Sequence, residues 1–384
     1  MSVSVAVTAK DVPFEAALEP PAEPSRRLIL ECGHMLHELA ASSPTLENAL
    51  TRLARALNQP TQTFSTPTSL FVAFGEPGQR AETHLLRAAP GDVDLGRLAD
   101  VDQLLEDVVA GRLAVEPAMD ELRRIREGPA RHGPVAEIAA AGLASAGAAV
   151  FLGGGSSDAV AAGAVAALLG LLSQAARRWI SVERMVELVG ALLASALGVW
   201  IGASVEGTHP TIVTLAAVIV FVPGFMVTVA LGELAARHWV SGTSRLAGAG
   251  AIFLLLGTGV GLGHRLATPL AAASSVAAAA PSVLPPWAVA AALISAPMAF
   301  LVLFQGRRRD APWVLLAALS AWFASHAVPA TMGPEVGAFV GALALGLVSN
   351  GIGRLTRRPA TVSLVPGLML LVPGSIGYRS VVAF

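Results

Sequence analysis

The chain has 384 residues, of which 54% are hydrophobic and only 14% are charged, with a formal net charge of -1 at pH 7. A single soluble globular domain rarely has this composition, and a charge near zero gives no reason to expect nucleic acid as a partner. Of the charged residues, 32 precede Pro134 and 21 follow it. The sequence therefore predicts a first part in water and a second part in lipid.

Residues 1–25 lack a basic region followed by an apolar run and a small-residue cleavage site. This pattern predicts a disordered tail and no signal peptide. The single cysteine, Cys32, cannot form an internal disulfide, so nothing indicates an oxidising compartment.

Residues 26–132 are predicted to form a cytoplasmic α+β domain. The segments LILECGHMLHELA and TLENALTRLARALN are apolar at helical spacing, TQTFSTPTSLFVAF and ETHLLRAA are typical of paired strands, and VDQLLEDVVAGRL and VEPAMDELRRI indicate two further helices. His34, His37 and Glu38 share one helix face, but a metal needs three or four converging ligands, and Cys32 lies off that face. We therefore expect no metal and no cofactor, and no catalytic triad that would indicate an enzyme.

Nine apolar runs of membrane-crossing length follow, since a helix needs about 20 apolar residues to cross the hydrocarbon. They lie near 135–153, 158–176, 186–204, 211–231, 245–263, 286–304, 311–328, 335–351 and 361–381. The glycines of GGGSS (153–157) and GTGVGLG (257–263) have no preceding strand, so we interpret them as a turn and a close helix contact rather than phosphate loops.

Arginines predict the orientation, because basic loop residues are retained on the cytoplasmic side. With the N-terminus inside, eleven arginines lie in cytoplasmic joints and two lie outside. The eleven are Arg177, Arg178, Arg184, Arg237, Arg245, Arg307, Arg308, Arg309, Arg354, Arg357 and Arg358, and the two are Arg265 and Arg379. This asymmetry predicts nine crossings and a cytoplasmic N-terminal domain. We expect a multi-pass protein of a bacterial inner (plasma) membrane.

The spans repeat with an offset of 150 residues. This places a first five-helix repeat at 133–265, an external linker at 266–285 and a second repeat at 286–384, of which four helices are present. Because five helices per repeat is an odd number, the second copy is expected to be inverted, as in many secondary transporters. A tenth helix would be expected near 395–413, beyond Phe384, so either the second repeat is incomplete or the given sequence is shortened.

A Val-Pro-Gly sequence interrupts equivalent helices of the two repeats, at Pro223-Gly224 and Pro373-Gly374, and LVPGL adds Pro366. Proline removes a backbone donor and displaces a carbonyl, which exposes polar backbone inside the membrane. Such breaks can bind substrate at a transporter midplane, whereas a single one more often only kinks a helix.

Ionisable residues near the membrane are costly unless they face water or a partner. The coupling or gating candidates are Asp158, Glu187, Glu233 and His326, all near helix ends, where a hydrated cap is the more common role. No carboxylate or base lies at mid-membrane depth in the predicted spans, so the residue that would carry a coupled proton is not identified.

The segment FVPGFMVTVALGELAARHWVSGTSRL resembles the threonine/serine exporter family, as do the GGGSSDA turn, TPTSL (66–70) and the closing LLVPGSIGYRS. The matching positions of the long segment are Pro223, Gly224, Thr228, Glu233, Ser241, Gly242 and Arg245. Glu233 replaces the usual Asp, Val229 stands where the family usually has Asn, and His238 replaces a common Asp. The resemblance covers roughly residues 26–384.

The resemblance implies a secondary exporter of threonine, serine or similar small amino acids, driven by proton exchange. Its predicted substrate-binding residues are Pro223, Gly224, Thr228, Pro373, Gly374 and Pro366. Lipid, protons and the amino acid are the expected partners, and a homo-oligomer is possible. A dicarboxylate exporter, and a membrane sensor with a ligand-responsive cytosolic domain, are the alternatives.

Overall fold

The structure, a computed structural model, describes residues 23–76, 78–87, 91, 93–176, 185–271 and 284–371. The chain divides into two compact units. The N-terminal unit contains residues up to 129 together with Val227–Leu246, and the membrane unit contains residues 130–226 and those from 247 onward. The sequence had not predicted that the segment 227–246 packs with the N-terminal domain rather than with the other membrane helices.

The N-terminal unit has the predicted α+β composition. Its elements are α1 (Pro24–Glu38), α2 (Ser43–Ala56), β1 (Thr61–Thr66), β2 (Ser69–Phe74), β3 (Glu82–Arg87), α3 (Leu95–Val109) and α4 (Val115–Glu127). The strands form one antiparallel sheet in the order β1-β2-β3. Asp94 caps α3 by accepting the Arg97 N–H at 2.7 Å, as an Asp at this position commonly does.

Large aliphatic side chains fill the centre of the N-terminal unit. Fully buried members are Leu28, Ile29, Leu46, Leu50, Leu53, Leu70, Val72 and Leu122. They recur at helical spacing in α2 and at alternate positions of β2, as amphipathic elements do. In α1, by contrast, every residue from Leu28 to His37 is buried, so this helix lies inside the core.

Eight of the described helices belong wholly to the membrane unit. They are α5 (Pro134–Phe151), α6 (Ser156–Ala176), α7 (Val186–Ser204), α8 (Pro210–Ala217), α11 (Pro286–Leu303), α12 (Ala311–His326), α13 (Pro334–Thr356) and α14 (Thr361–Leu371). Two more, α9 (Gly224–Ala235) and α10 (Trp239–Ala271), contribute residues to both units. GGGSS forms the turn between α5 and α6, as predicted.

Six of the described helices are long and apolar enough to cross a membrane, namely α5, α6, α7, α10, α11 and α13. A seventh crossing results if the bent pair of α8 and α9 is one span. The predicted number of nine is therefore not confirmed. Helices occur at all nine predicted places, but α12 has 16 residues and the described part of α14 has 11, which are short for a crossing.

The predicted external linker of residues 266–285 is wrong at its start, because α10 continues through Ala271 and even contains Pro269. Neighbouring turns of a membrane helix can satisfy the backbone around a proline, which is why the residue did not end the helix. Residues 272–283 lie outside the described residues.

Small residues bring the membrane helices together. A Cβ added to Gly147 of α5 would lie 2.9 Å from Ala296 Cβ of α11, and one added to Gly263 of α10 would overlap the carbonyl oxygen of Leu192 on α7. Close packing of this kind is typical of helices in lipid. The interpretation of GTGVGLG as a packing motif is thus confirmed at Gly263, in the stretch that also contains Gly259 against α7.

The packing of the membrane helices repeats. In the first set, α5 contacts α6 and α8, α6 contacts α7 and α8, and α7 contacts α8; in the second, α11 contacts α12 and α14, α12 contacts α13 and α14, and α13 contacts α14. The first helix of one set, α5, also packs on the first helix of the other, α11. The 150-residue repeat of the sequence therefore corresponds to a repeated pattern of helix neighbours.

Candidate functional site

The first Val-Pro-Gly sequence interrupts the chain between two helices. After α8, Val218–Phe221 form a turn of 3-10 helix, Val222 is extended with φ -66° and ψ 122°, and α9 starts at Gly224. The helix axes on the two sides of the break differ by 56°. The predicted break at Pro223-Gly224 is therefore present.

The backbone at the break is only partly paired by its own neighbours. The Val222 N–H donates to Ile219 O at 3.2 Å and the Gly224 N–H donates to Val222 O at 2.8 Å, whereas Pro223 has no N–H. The first N–H groups of α9 have no carbonyl one turn earlier in their own helix. A helix start with this geometry offers donors and a positive dipole end, which suit a carboxylate.

Three helices meet at the residue that follows the break. Phe225 packs against a buried cluster formed by Ala140 and Ala144 of α5, Ala299 and Phe300 of α11, and Met369 of α14. This cluster therefore joins the first break to the helix that leads toward the second Val-Pro-Gly sequence. Pro373 and Gly374 themselves lie outside the described residues.

Two other predicted binding residues have different surroundings. Pro366 is buried inside α14, which continues without a break to Leu371, and the neighbouring Gly367 approaches Leu345 of α13 closely. Thr228 lies at an exposed position of α9. The structure thus joins Phe225 to α14 and places Thr228 in the N-terminal unit.

Asp158 has a fully buried side chain with three partners in the membrane unit. Its carboxylate accepts the Gly155 N–H at 2.9 Å and the His209 N–H at 2.6 Å, and Oδ2 lies 2.8 Å from His209 Nδ1. When the carboxylate is ionised it can only accept, and His209 Nδ1 then carries the hydrogen of this bond. The bond from Gly155 closes the first turn of α6 as in a capping box. Asp158 is therefore a buried connection between the start of α6 and the start of α8, and not a hydrated cap.

Glu233 is also buried, with a relative exposure of 1%. Its Oε1 accepts the backbone N–H of Ser43, the first residue of α2, at 2.9 Å, and Arg245 Nε lies 3.2 and 3.1 Å from the two carboxylate oxygens. Arg245 also donates to Ala41 O at 3.2 Å. All of these residues belong to the N-terminal unit. The interpretation as a hydrated helix end is wrong here too, since the carboxylate is dry and paired.

Serine hydroxyls extend this network. Ser43 Oγ lies 2.7 Å from Ser241 Oγ, and Ser241 Oγ donates to Ser65 O at 2.8 Å. Ser43, Ser65 and Ser241 are all buried. Three of the positions that carry the family resemblance, Glu233, Ser241 and Arg245, thus bind the α1–α2 loop and the end of β1.

The remaining coupling candidates lie in open surroundings. Glu187 is half-buried in the first turn of α7. His326 is exposed in the last turn of α12, where Nδ1 lies 2.9 Å from Trp322 O and the imidazole stacks on the Trp322 ring. The surroundings of Glu187 and His326 agree with hydrated or interfacial positions at helix ends.

The histidines of α1 have structural partners. His37 Nε2 lies 2.7 Å from Thr66 O, and His34 Nδ1 lies 3.7 Å from Glu38 Oε1. In the part of the chain that is described, no three His, Cys, Asp or Glu residues form a group that could hold a metal. Burial lowers the pKa of His34 to about 4 and raises the pKa of the Cys32 thiol to about 12, so both are neutral at pH 7.

Sequence reasoning missed the partners of both buried carboxylates. His209 stands directly before Pro210, the first residue of α8, and Ser43 stands directly before Pro44 at the start of α2. His209 is extended, as a residue before proline usually is, whereas Ser43 is already the first residue of α2 and the extended residue there is Ser42. The first N–H groups of a helix have no acceptor in their own helix, so the His-Pro and Ser-Pro pairs were an available signal, but the carboxylate that each would meet is distant in sequence.

Long apolar helices, one of them broken at Pro-Gly, define a multi-pass membrane protein. Two family models match the chain: "Putative threonine/serine exporter" over residues 27–267 and "Threonine/Serine exporter, ThrE" over residues 288–384. The chain belongs to the threonine/serine exporter family.

Several curated proteins are similar to the chain. "Pheromone-regulated membrane protein 10" of Candida albicans (strain WO-1) is 25% identical over 376 residues, covering 92% of this chain and 33% of that protein. The protein of the same name in Debaryomyces hansenii is 24% identical over 377 residues, covering 92% of this chain and 36% of that protein. "Probable threonine/serine exporter" of Mycobacterium tuberculosis is 24% identical over 302 residues, covering 76% and 56%. The chain thus spans about a third of the length of these yeast relatives. No solved structure matches it.

Proposed function

We propose that this chain is a secondary exporter of threonine, serine or similar small amino acids, with its substrate site at the broken helices. The observation that carries the proposal is the interruption at Pro223-Gly224, together with the packing of Phe225 against α5, α11 and α14. Membership of the exporter family supports the direction and the class of substrate. An exporter moves its substrate unchanged, so the proposal assigns no enzymatic activity and no cofactor.

A zwitterion suits the chemistry of the break. The start of α9 offers N–H donors and a positive dipole end to the substrate carboxylate, and the carbonyls left before Pro223 suit the ammonium group. The second Val-Pro-Gly at Pro373-Gly374 would supply the equivalent groups from the other repeat. Thr228 is near the first of these breaks in sequence, and Pro366 is near the second. The repeated helix neighbours support two such half-sites, and we propose that the two repeats are inverted with respect to each other.

Proton exchange is the proposed driving force, and the Asp158–His209 pair is the candidate in the membrane unit. A buried carboxylate 2.8 Å from an imidazole nitrogen is a pair whose charge changes when a single proton is gained. We place the N-terminal domain in the cytoplasm and the helices in a bacterial inner (plasma) membrane, because the arginine asymmetry supports that orientation. A homo-oligomer is compatible with this arrangement.

Counterflow in proteoliposomes tests the proposal. Vesicles loaded with unlabelled threonine should accumulate labelled threonine and serine, and an imposed pH difference should increase the initial rate. Movement of succinate alone would favour a dicarboxylate exporter. Absence of all three fluxes, with a ligand-dependent change in the N-terminal domain, would favour a sensor.

Two matched glycine substitutions locate the site. Gly224→Leu should lower threonine counterflow by about 10²-fold, since a displacement of about 1 Å at a binding site has this effect. Gly257→Leu in α10 is the control, because a Cβ at Gly257 meets nothing within 4 Å. Equal activity of the two variants would contradict a site at the first break.

A further inference from the structure

The contacts of α9 and the start of α10 differ from those of the other long helices. Residues 227–246 form one compact unit with residues of the N-terminal domain, and the buried polar network joins them. On one side of the network lie Glu233, Ser241 and Arg245. On the other lie Ala41, Ser43 and Ser65. We call these six residues the anchor.

The anchor has the chemistry of a permanent contact. A buried carboxylate whose partner is removed is left as an uncompensated charge, so a charged pair of this kind separates rarely. Glu233 Oε1 accepts hydrogen bonds from both sides, from the Ser43 N–H and from Arg245 Nε, and Arg245 Nε also lies 3.1 Å from Oε2. Gly242 packs α10 closely against α9, because a Cβ there would lie 2.9 Å from Ala230 O, so the two helices on this side of the anchor are themselves joined. The turn between α9 and α10 is therefore held tightly against the α1–α2 loop.

The anchor also lies on the helix that begins at the break. α9 starts at Gly224 and carries Glu233 in its last turns. A helix transmits a rigid displacement along its axis, since its backbone hydrogen bonds fix each turn to the next. A shift of Glu233 by a fraction of a turn would therefore also shift the N–H groups at the start of α9.

We propose that Glu233 and Arg245 are positioning residues, which fix α9 to the N-terminal domain and so hold the first half-site of the substrate in place. On this proposal Glu233 does not carry the coupled proton. The N-terminal domain serves as a rigid support that moves together with α9. The part of this proposal that concerns transport rests on the proposed function, whereas the attachment of α9 does not.

The first experiment measures the attachment of α9 to the N-terminal domain. Its reporter is the labelling rate of Cys32, the single cysteine of the chain. Cys32 has no exposed surface in the core of the N-terminal unit, so a maleimide reaches it only after that unit opens. In the full-length protein in detergent, Glu233→Gln should accelerate Cys32 labelling by at least about ten-fold, because it removes one charge of a buried pair. Asp107→Asn is the matched control, since Asp107 pairs with the exposed Arg112 in the same unit. Equal labelling rates for Glu233→Gln and the wild type would overturn the proposal.

A disulfide then separates positioning from proton transfer. Ser43 Oγ and Ser241 Oγ lie 2.7 Å apart, so cysteines at both positions can reach the S–S bond length of about 2.0 Å. The background is Cys32→Ala, which removes the native thiol. Oxidation should join S43C to S241C and restore the contact that Glu233→Gln weakens.

Transport in proteoliposomes gives the decisive result. Glu233→Gln should lower threonine counterflow by at least about ten-fold, through displacement of α9. In Glu233→Gln with S43C and S241C, oxidation should restore the rate to that of Cys32→Ala with its pH dependence intact, and dithiothreitol should abolish the recovery. Failure of the cross-linked protein to recover would show that the carboxylate itself is needed and would overturn the proposal. If the wild type moves no amino acid, the proposed function fails, while the labelling experiment still decides whether the anchor exists.

Discussion

The two units of this protein bury different kinds of side chain. In the N-terminal unit, leucine, isoleucine, valine and phenylalanine fill the interior. In the membrane unit, the buried positions are mostly alanine, and many large apolar side chains point outward, among them Leu143, Leu168, Trp200, Phe253, Leu254 and Phe339. Large side chains thus lie inside the N-terminal unit, whereas in the membrane unit many of them lie on the outside.

The difference follows from the solvent around each unit. Water drives large apolar groups inward because burial removes their surface from water, and this contribution scales with area. Lipid tails are as apolar as leucine, so helices in a bilayer gain little from burying leucine and associate through close contact of small residues. The same amino acid therefore has a different structural role in each unit.

The strongest test of this comparison is Leu50→Ala in the N-terminal unit. Leu50 has no exposed surface, and deletion of a buried leucine costs about 2–5 kcal/mol through lost transfer energy and a cavity. Leu50→Ala should therefore raise the rate of Cys32 alkylation in the full-length protein, because this rate reports the opening free energy of the N-terminal unit. Leu85→Ala on the exposed face of β3 is the control and should change that rate little.

Acid should weaken the N-terminal unit next most strongly. Burial lowers the pKa of His34 from 6.5 to about 4, so between these values the unfolded chain binds a proton that the folded domain does not. Stability should therefore fall as the pH drops from about 6.5 to 4, by about 3 kcal/mol in total, and this group should add no further loss below pH 4. Hydrogen–deuterium exchange of the α1 and α2 amides from pH 7 to 4 measures the fall. If His34→Gln shows the same pH dependence as the wild type, another group is responsible.

Gly263→Leu should destabilise the membrane unit, whereas Leu50→Ala acts on the N-terminal unit. The added side chain would overlap the Leu192 carbonyl in the contact between α10 and α7, and overpacking of this kind costs about 1–3 kcal/mol. A lower melting temperature in detergent is the expected result. Gly261→Leu, two residues away in the same helix with no atom within 4 Å of its Cβ, should melt as the wild type does. Equal melting of the two variants would contradict the α7–α10 contact.

The smallest effect should come from Leu254→Ala in the membrane unit. Leu254 is 74% exposed on α10, and lipid or detergent fills the space that the shorter side chain leaves, so the change in stability should stay within about 0.5 kcal/mol. The melting temperature of the purified protein checks this value. A loss as large as that of Leu50→Ala would mean that Leu254 packs against protein, and the contrast between the two units would then fail at this helix.

The sequence predicted elements better than contacts. Periodicity and length located the four described helices of the N-terminal domain and a helix at each of nine later places, because these features depend on local pattern. They indicated two strand segments, whereas the first of these, TQTFSTPTSLFVAF, contains the two strands β1 and β2. The number of crossings could not be derived in the same way. α12 is apolar but has only 16 residues, and α14 is described only as far as Leu371, so apolar run length alone does not decide which helices cross the membrane.

For the candidate site, the sequence identified the break at Pro223-Gly224 but not the environment of the charged groups. Asp158 and Glu233 lie near helix ends, where water is the usual partner. Their actual partners, His209 and Ser43, are 51 and 190 residues away along the chain. Such pairs depend on tertiary packing, which a single sequence does not encode as a local pattern.

The N-terminal unit is formed by two segments that are separate in sequence, and this has a consequence for biosynthesis. A ribosome releases residues 23–129 first, and must then produce residues 130–226 before the segment Val227–Leu246 exists. Until then, the Ser43 N–H and the Ser65 carbonyl lack the partners that they have in the finished protein. The contacts of Ser43 and Ser65 with this segment can therefore form only after the helices α5 to α8 have been synthesised, so the N-terminal unit is completed late in translation.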